Sequence, residues 1–134
     1  MAILRISMGV IFCWFGVLKF VPGLSPAEAL AGRTIQALSF GLVQPWISLP
    51  ALALFECALG TLLISGRYPR VAILFLLAHM IGTFSPALFF PREVFRGFML
   101  PTLVGQYILK NIVLIAAGIV VSAGAPSKSD ATVC

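Results

Sequence analysis

The feature that most constrains this chain is a set of four apolar runs, each close to the length of a membrane span. They cover residues 3–21, 47–65, 71–90 and 103–123. Backbone amides and carbonyls find no water inside a bilayer, so runs of this kind form helices. The sequence therefore predicts an all-α integral membrane protein, a four-helix transmembrane bundle that forms one domain over residues 1–125.

Composition excludes the soluble classes of protein. Hydrophobic residues make up 60% of the chain and charged residues only 10%, against about 45–50% and about 25% in a soluble domain. The net charge of +5 comes from nine basic and four acidic residues, and the basic residues stand singly at the ends of apolar runs. Such residues bind lipid head groups. We therefore expect membrane lipids as partners, and no nucleic acid.

The connections between the runs differ in length. Residues 66–70 form a tight polar turn, which predicts an antiparallel hairpin of the second and third spans. Residues 27–43, entered through Pro26, predict a short amphipathic helix at the membrane interface between spans 1 and 2. Residues 91–101 predict a second interfacial stretch, and residues 126–134 a polar C-terminal tail.

Orientation rests on the shortest loop. Four spans place both termini on one side of the membrane, together with Arg67 and Arg70 of the turn. Basic residues in short loops favour the cytoplasm, so both termini are expected there. The first run is long enough to span and has no small-residue cleavage site before Pro22, which favours a retained helix over a signal peptide.

The first helix carries a stripe of marked residues at intervals of four, three, four and three. These residues are Arg5, Gly9, Phe12, Gly16 and Lys19, and their period of 3.5 is that of a left-handed helix bundle. Two glycines on the stripe allow a neighbouring backbone to approach closely. The plain interpretation is a packing stripe whose end charges reach opposite head-group layers.

Two ionisable residues lie deep in the predicted hairpin. Glu56 stands twelve residues before Tyr68 at the turn, and His79, the one histidine of the chain, stands eleven after it. Antiparallel helices place the two at nearly equal depth. Gly60 follows Glu56 by one turn and allows close helix packing. Ionisable residues inside a membrane are costly and often functional.

The last helix supplies further polar residues. Lys110 is placed to reach Glu56 from this helix, and Lys19 to approach it from the first. One hypothesis is a cluster that handles a proton or holds a polar head group such as that of a quinone. The other is a structural ion pair that joins the second helix to the fourth. The ligand-binding or proton-handling candidates are Glu56, His79, Lys110, Lys19, Gln106 and Asn111.

Catalytic and metal chemistry are not predicted. The chain shows no nucleophile with a matching base and no metal-ligand spacing. Cys13, Cys57 and Cys134 form no C-x-x-C pair, so the first two are interpreted as small hydrophobes and no dithiol chemistry is expected. Pro86 predicts a kink in the third helix, with Thr83 and Ser85 satisfying the freed backbone groups.

The order and spacing of several short motifs resemble those of the DoxX-like superfamily, and most closely its reactive-chlorine-resistance inner-membrane branch. The matching positions are Arg5, Gly16, Lys19, Phe20 and Pro22, then Glu56 and Gly60, then Pro69 and Arg70, then Thr83, Phe84, Ser85 and Pro91, and finally Gly105, Leu109, Lys110 and Asn111. The loops of this chain are shorter than those of many members of that branch.

The resemblance implies a four-helix protein of the bacterial inner membrane, linked to oxidant or thiol stress. One relative is a membrane subunit of a thiosulfate:quinone oxidoreductase. We therefore expect a membrane anchor or subunit in redox physiology, without autonomous catalysis, that holds a quinone or a lipid head group. A protein partner or a homo-oligomer is expected. The alternatives are an oligomeric proton or solute carrier, and a structural accessory subunit of a respiratory or photosynthetic complex.

Overall fold

The computed structural model describes residues 1–25 and 27–124, and most of these residues are helical. The elements are α1 (Ala2–Leu18), α2 (Glu28–Leu38), α3 (Pro45–Ser65), α4 (Pro69–Phe84), α5 (Pro86–Phe89), α6 (Pro91–Val94), β1 (Phe95–Gly97), β2 (Leu100–Pro101) and α7 (Leu103–Ala123). The predictions for Pro26 and for the tail over residues 126–134 lie outside the described residues.

Three helical segments are long and apolar enough to cross a membrane. They are α3, the combined segment Pro69–Phe89 and α7, each of 21 residues. The apolar helix α1 is shorter, with 17 residues. Large apolar side chains such as Ile3, Leu74 and Ile81 point away from the protein, as they do when lipid is the solvent. The chain is a multi-pass membrane protein.

The tightest packing is between α1 and α3, which run antiparallel. Arg5 lies beside the C-terminal end of α3, whereas Lys19 contacts Glu56 near its middle. Together with α4 and α7 these helices enclose one apolar core. Its buried residues are Met8, Phe12, Leu59, Leu63, Ala72, Ile73, Leu76, Met80 and Val121.

The predicted span boundaries need two corrections. The first helix ends at Leu18 instead of residue 21, because Pro22 disfavours helical geometry at the residue before it and Gly23 turns the chain with a φ of +83°. The third span is divided into α4 and α5, which together end at Phe89. The last helix occupies residues 103–123, as predicted.

The division between α4 and α5 comes from Pro86. Proline has no N–H to donate to the carbonyl four residues earlier, at Gly82. The Ser85 hydroxyl donates to that carbonyl instead, at 2.6 Å. Thr83 donates to the His79 carbonyl at 3.0 Å. Ser85 therefore satisfies the carbonyl that the proline frees, as the sequence predicts, whereas the His79 carbonyl that Thr83 contacts is not one of the freed groups.

The helix expected over residues 27–43 is shorter in the structure, where α2 covers Glu28–Leu38. Phe40 and Gly41 take left-handed φ values of 53° and 82°. The Gly41 N–H donates back to the Gln36 carbonyl at 2.8 Å, a common way to end a helix. The early stop therefore follows from the left-handed turn at Phe40 and Gly41, of which the glycine adopts this geometry at little cost.

The stretch over residues 91–101 contains the short helix α6 and a two-stranded antiparallel hairpin. Val94 is fully buried there against Leu30 of α2 and Ile108 of α7. Arg33 of α2 forms an ion pair with Glu93. This second, smaller core fixes α2 and the hairpin to the end of the bundle at which α7 begins.

Candidate functional site

The centre of the candidate site is Glu56, whose two carboxylate oxygens contact two different helices. Lys19 Nζ donates to Oε2 at 2.5 Å, and His79 Nε2 lies 3.2 Å from Oε1. The side chains of Glu56, Lys19 and His79 are 6%, 9% and 11% exposed. One carboxylate therefore links α1, α3 and α4. We call Lys19, Glu56 and His79 the triad.

The glycines of the stripe explain how Lys19 reaches Glu56. A Cβ atom at Gly16 would lie 3.0 Å from both the Ala53 carbonyl oxygen and the Cys57 nitrogen. A Cβ atom at Gly60 would lie 2.6 Å from the Gly9 carbonyl oxygen. Larger residues would therefore separate the two helices, and the short distance between α1 and α3 brings Lys19 onto the carboxylate.

The other end of the stripe also has a specific partner. Arg5 donates to the carbonyls of Leu63 and Ile64 at 2.6 and 3.0 Å. These carbonyls belong to the last turn of α3, where helical carbonyls lack backbone partners and cations are favoured. Arg5 therefore satisfies the end of α3.

Aromatic rings hold the imidazole of His79. Its ring centroid lies 5.7 Å from that of Phe12, at an interplanar angle of 71°, and 5.5 Å from that of Phe55. Phe55 in turn packs edge-on against Phe75 at 6.0 Å. Because rings contact it from α1 and α3, the imidazole keeps its Nε2 edge toward Glu56.

A cavity of about 520 Å³ opens beside the triad, between α1, α4 and α7. Most of its wall is aliphatic or aromatic. The polar wall residues outside the triad are Ser25, Thr83, Tyr107, Lys110 and Asn111. Small-molecule sites in proteins are usually apolar clefts of about 300–1,000 Å³ with a few placed polar groups. The cavity has this character.

A smaller cavity of about 170 Å³ lies on another side of the triad, beneath α2. Its wall includes Ala31, Thr34 and Leu38 of that helix. Lys19, Glu56 and His79 border both cavities. The triad therefore separates two spaces, one against α7 and one against α2.

The structure brings together some of the predicted site residues and separates others. Lys110 and Asn111 line the larger cavity, but among the described residues Lys110 forms no ion pair with Glu56. Its ammonium lies 5.4 Å from the Tyr107 ring centroid instead. The predicted pairing of Glu56 with Lys110 is thus wrong, because Lys19 occupies that position. Gln106 is exposed and lines neither cavity.

The contact between Cys13 and Cys57 was not predicted from the sequence. Cys13 Sγ lies 3.8 Å from the Cys57 carbonyl oxygen, and Cys57 Sγ lies 3.9 Å from that of Cys13. The sequence does contain a matching signal. Gly9, Cys13 and Gly16 have the same spacing as Ala53, Cys57 and Gly60, so antiparallel packing of the small residues places the cysteines face to face.

The side chains of residues 1–25 and 27–124 do not form a metal centre. No group of three or more His, Cys, Asp or Glu side chains there is arranged to hold a metal ion. The described polar groups with buried side-chain atoms all have hydrogen-bond partners. Among the described residues, the triad is therefore a network without an unpaired buried side-chain atom.

Comparison with curated proteins gives no match, and comparison with solved structures gives none either. The sequence profile of the DoxX family matches residues 1–90. This range contains α1 to α5 and all three residues of the triad, whereas Lys110 and Asn111 follow it. The chain belongs to the DoxX family.

Proposed function

We propose that this protein is a membrane anchor or subunit in redox or oxidative-stress physiology that holds a quinone head group at Lys19, Glu56 and His79. The observation that carries the proposal is the placement of this buried triad on the wall of an apolar cavity of about 520 Å³. In the same proposal α1 is the fourth span of a four-helix bundle, since about 17 residues is the lower limit for spanning.

The charge of the triad favours a neutral ligand. Glu56 and Lys19 form an ion pair, so their charges largely cancel at the cavity wall. A neutral quinone ring has carbonyl oxygens that accept hydrogen bonds from an ammonium, and the Lys19 ammonium has three N–H donors, of which Glu56 takes one. An anionic lipid phosphate would need an excess of positive charge, which only Lys110 on the α7 wall supplies.

The shape of the cavity is consistent with a flat ring. Phe15 and Tyr107 line it from α1 and α7 and offer aromatic faces for stacking. Lys110 and Asn111 stand on the α7 wall, with the triad on the walls of α1, α3 and α4. A ring between these walls has polar groups available at both of its carbonyl ends.

The proposed location is the bacterial inner membrane, with both termini in the cytoplasm. Arg67 lies in the short connection between α3 and α4, and Arg70 lies in the first turn of α4. Basic residues in and beside such loops stay on the cytoplasmic side. Helix α2 and the β1–β2 hairpin are then placed at the opposite interface. A partner protein is proposed to supply the catalytic chemistry.

Quinone binding by the full chain in lipid nanodiscs tests the proposal, with decylubiquinone as the probe. Infrared difference spectra report whether its carbonyl stretches shift on binding. We expect saturable binding, lowered carbonyl frequencies, and a loss of about tenfold in affinity in Lys19→Met, equal to about one charge-assisted hydrogen bond. The matched control is Arg33→Gln, which breaks the exposed ion pair with Glu93 and should bind as the wild type does.

Equal binding by Lys19→Met and the wild type would refute the site. Proton flux in liposomes tests the carrier alternative: flux that Glu56→Gln abolishes, without quinone binding, would replace the subunit proposal with a carrier. Native mass spectrometry after gentle extraction tests the partner. A copurifying protein or quinone supports the subunit proposal, and a homo-oligomer with bulk lipid alone opposes it.

A further inference from the structure

We propose that Cys13 and Cys57 are a redox-active dithiol that a membrane-soluble hydroperoxide oxidises to a disulfide between α1 and α3. The contacts between the two residues are reciprocal. Each Sγ lies within 4 Å of the carbonyl oxygen of the other residue, at 3.8 and 3.9 Å. Both cysteines are free in the structure.

Each of the two sulfurs packs against the opposite helix at a glycine. A Cβ at Gly60 would lie 2.6 Å from Cys13 Sγ, and a Cβ at Gly16 would lie 2.7 Å from Cys57 Sγ. Each sulfur thus lies over a glycine of the opposite helix. Closing the bond requires the side chains to turn toward each other about their Cα–Cβ bonds.

Access to the thiols is from the outside of the helix pair. Both side chains are partly exposed, and neither residue lines either of the two cavities beside the triad. A quinone in the cavity therefore does not contact the sulfurs. In a membrane-spanning pair of helices the exposed side faces lipid, so the oxidant suited to this position is a peroxide that dissolves in the bilayer.

The chemistry balances with this oxidant alone. The thiolate of one cysteine attacks the peroxide oxygen, the O–O bond breaks, and the products are a sulfenic acid and an alcohol. The second thiol then attacks the sulfenic sulfur, the S–S bond forms, and water leaves. In sum, two thiols and one hydroperoxide give one disulfide, one alcohol and one water.

The disulfide would join α1 to α3 beside the triad. Cys57 directly follows Glu56, and Cys13 lies between Gly9 and Gly16 on the face that brings Lys19 to Glu56. Oxidation would therefore fix covalently the helix contact on which that ion pair depends. This inference stands apart from quinone binding, because the thiols and the cavity share no residue.

The test uses the full chain in nanodiscs with Cys134→Ser, so that only two thiols remain. Cumene hydroperoxide is the probe, and mass spectrometry after alkylation is the measurement. We expect a Cys13–Cys57 cross-linked peptide that dithiothreitol cleaves, formed roughly tenfold or more faster than in the SDS-unfolded chain because folding orients the thiols. In Cys13→Ser, the Cys57 thiol should stop at the sulfenic acid and be trapped by dimedone.

Three results would overturn the proposal. The first is that both thiols of the folded chain stay open to alkylation after peroxide. The second is dimedone trapping of the two-thiol chain without a cross-link. The third is cross-linking at the same rate in the folded and the unfolded chain. The matched variant Cys57→Ser tests whether Cys13 reacts with Cys57 and not with another group. In this variant Cys13 should form no cross-link.

Discussion

Removal of Lys19 is the most informative perturbation of stability, because it leaves the buried Glu56 carboxylate with one partner instead of two. At the observed N–O separation of 2.5 Å and an effective dielectric constant of about 20, two unit charges attract by about 7 kcal/mol. Desolvation of the two ions offsets much of this attraction. The net effect of removal is therefore smaller than the attraction itself.

Breaking a buried ion pair by removing one partner costs about 3–5 kcal/mol. In Lys19→Met, His79 still contacts Oε1 of Glu56, so we expect a loss at the lower end, about 3 kcal/mol. The double variant Lys19→Met with Glu56→Gln removes both charges and should regain at least half of that loss, since residues in contact couple by about 0.5–3 kcal/mol.

The free energy of unfolding, measured by steric trapping in bicelles, checks these values. The matched control is Arg33→Gln, which breaks an ion pair whose side chains are 48% and 41% exposed. Exposed pairs contribute about 0–1 kcal/mol. If Lys19→Met destabilises the protein no more than Arg33→Gln does, or if the double variant regains nothing, the assignment of a buried ion pair is refuted.

Three further predictions concern the helix contacts and caps, each measured by unfolding free energy. Gly60→Ala should cost about 1–3 kcal/mol, because its Cβ would meet the α1 backbone. The control Gly82→Ala has nothing within 4 Å of its Cβ and should stabilise α4 by about 0.5–1 kcal/mol. Equal effects of the two variants would contradict the close α1–α3 contact. Arg5→Met removes two charge-assisted bonds to the end of α3 and should cost about 1.5–3 kcal/mol, and no loss would contradict the capping role. Thr102→Ala removes the cap that accepts from the Gly105 N–H and should cost about 1 kcal/mol, and an unchanged unfolding free energy would contradict the capping role.

Much of the fold could be predicted from the sequence, because the length of an apolar run fixes a span with little help from other residues. The bounds of α7 matched the prediction. The ends of α1 and α2 did not, because they depend on local geometry at Pro22 and Gly41. The depth of Glu56 relative to His79 followed from the hairpin, since its two helices rise equally per residue.

The partners within the site depend on helix rotation, which the sequence specifies poorly. Helices α3 and α4 are apolar on all faces, so their periodicity does not show which side faces the bundle. The sequence therefore favours Lys110 as the partner of Glu56, with Lys19 as a further residue that approaches from the first helix. The choice of Lys19 follows from the close contact of α1 with α3 at Gly16 and Gly60, an effect of three-dimensional packing.

Binding of a quinone to the triad can be measured directly at His79, because the chain contains a single histidine. Full-length protein labelled with ¹⁵N-histidine gives the imidazole signals of His79 alone in solid-state NMR spectra of lipid bilayers. Decylubiquinone at saturation should shift the Nε2 signal in the wild type, and Lys19→Met should need about tenfold more quinone for the same shift. An Nε2 signal that stays unchanged in the wild type at saturating quinone would contradict the account.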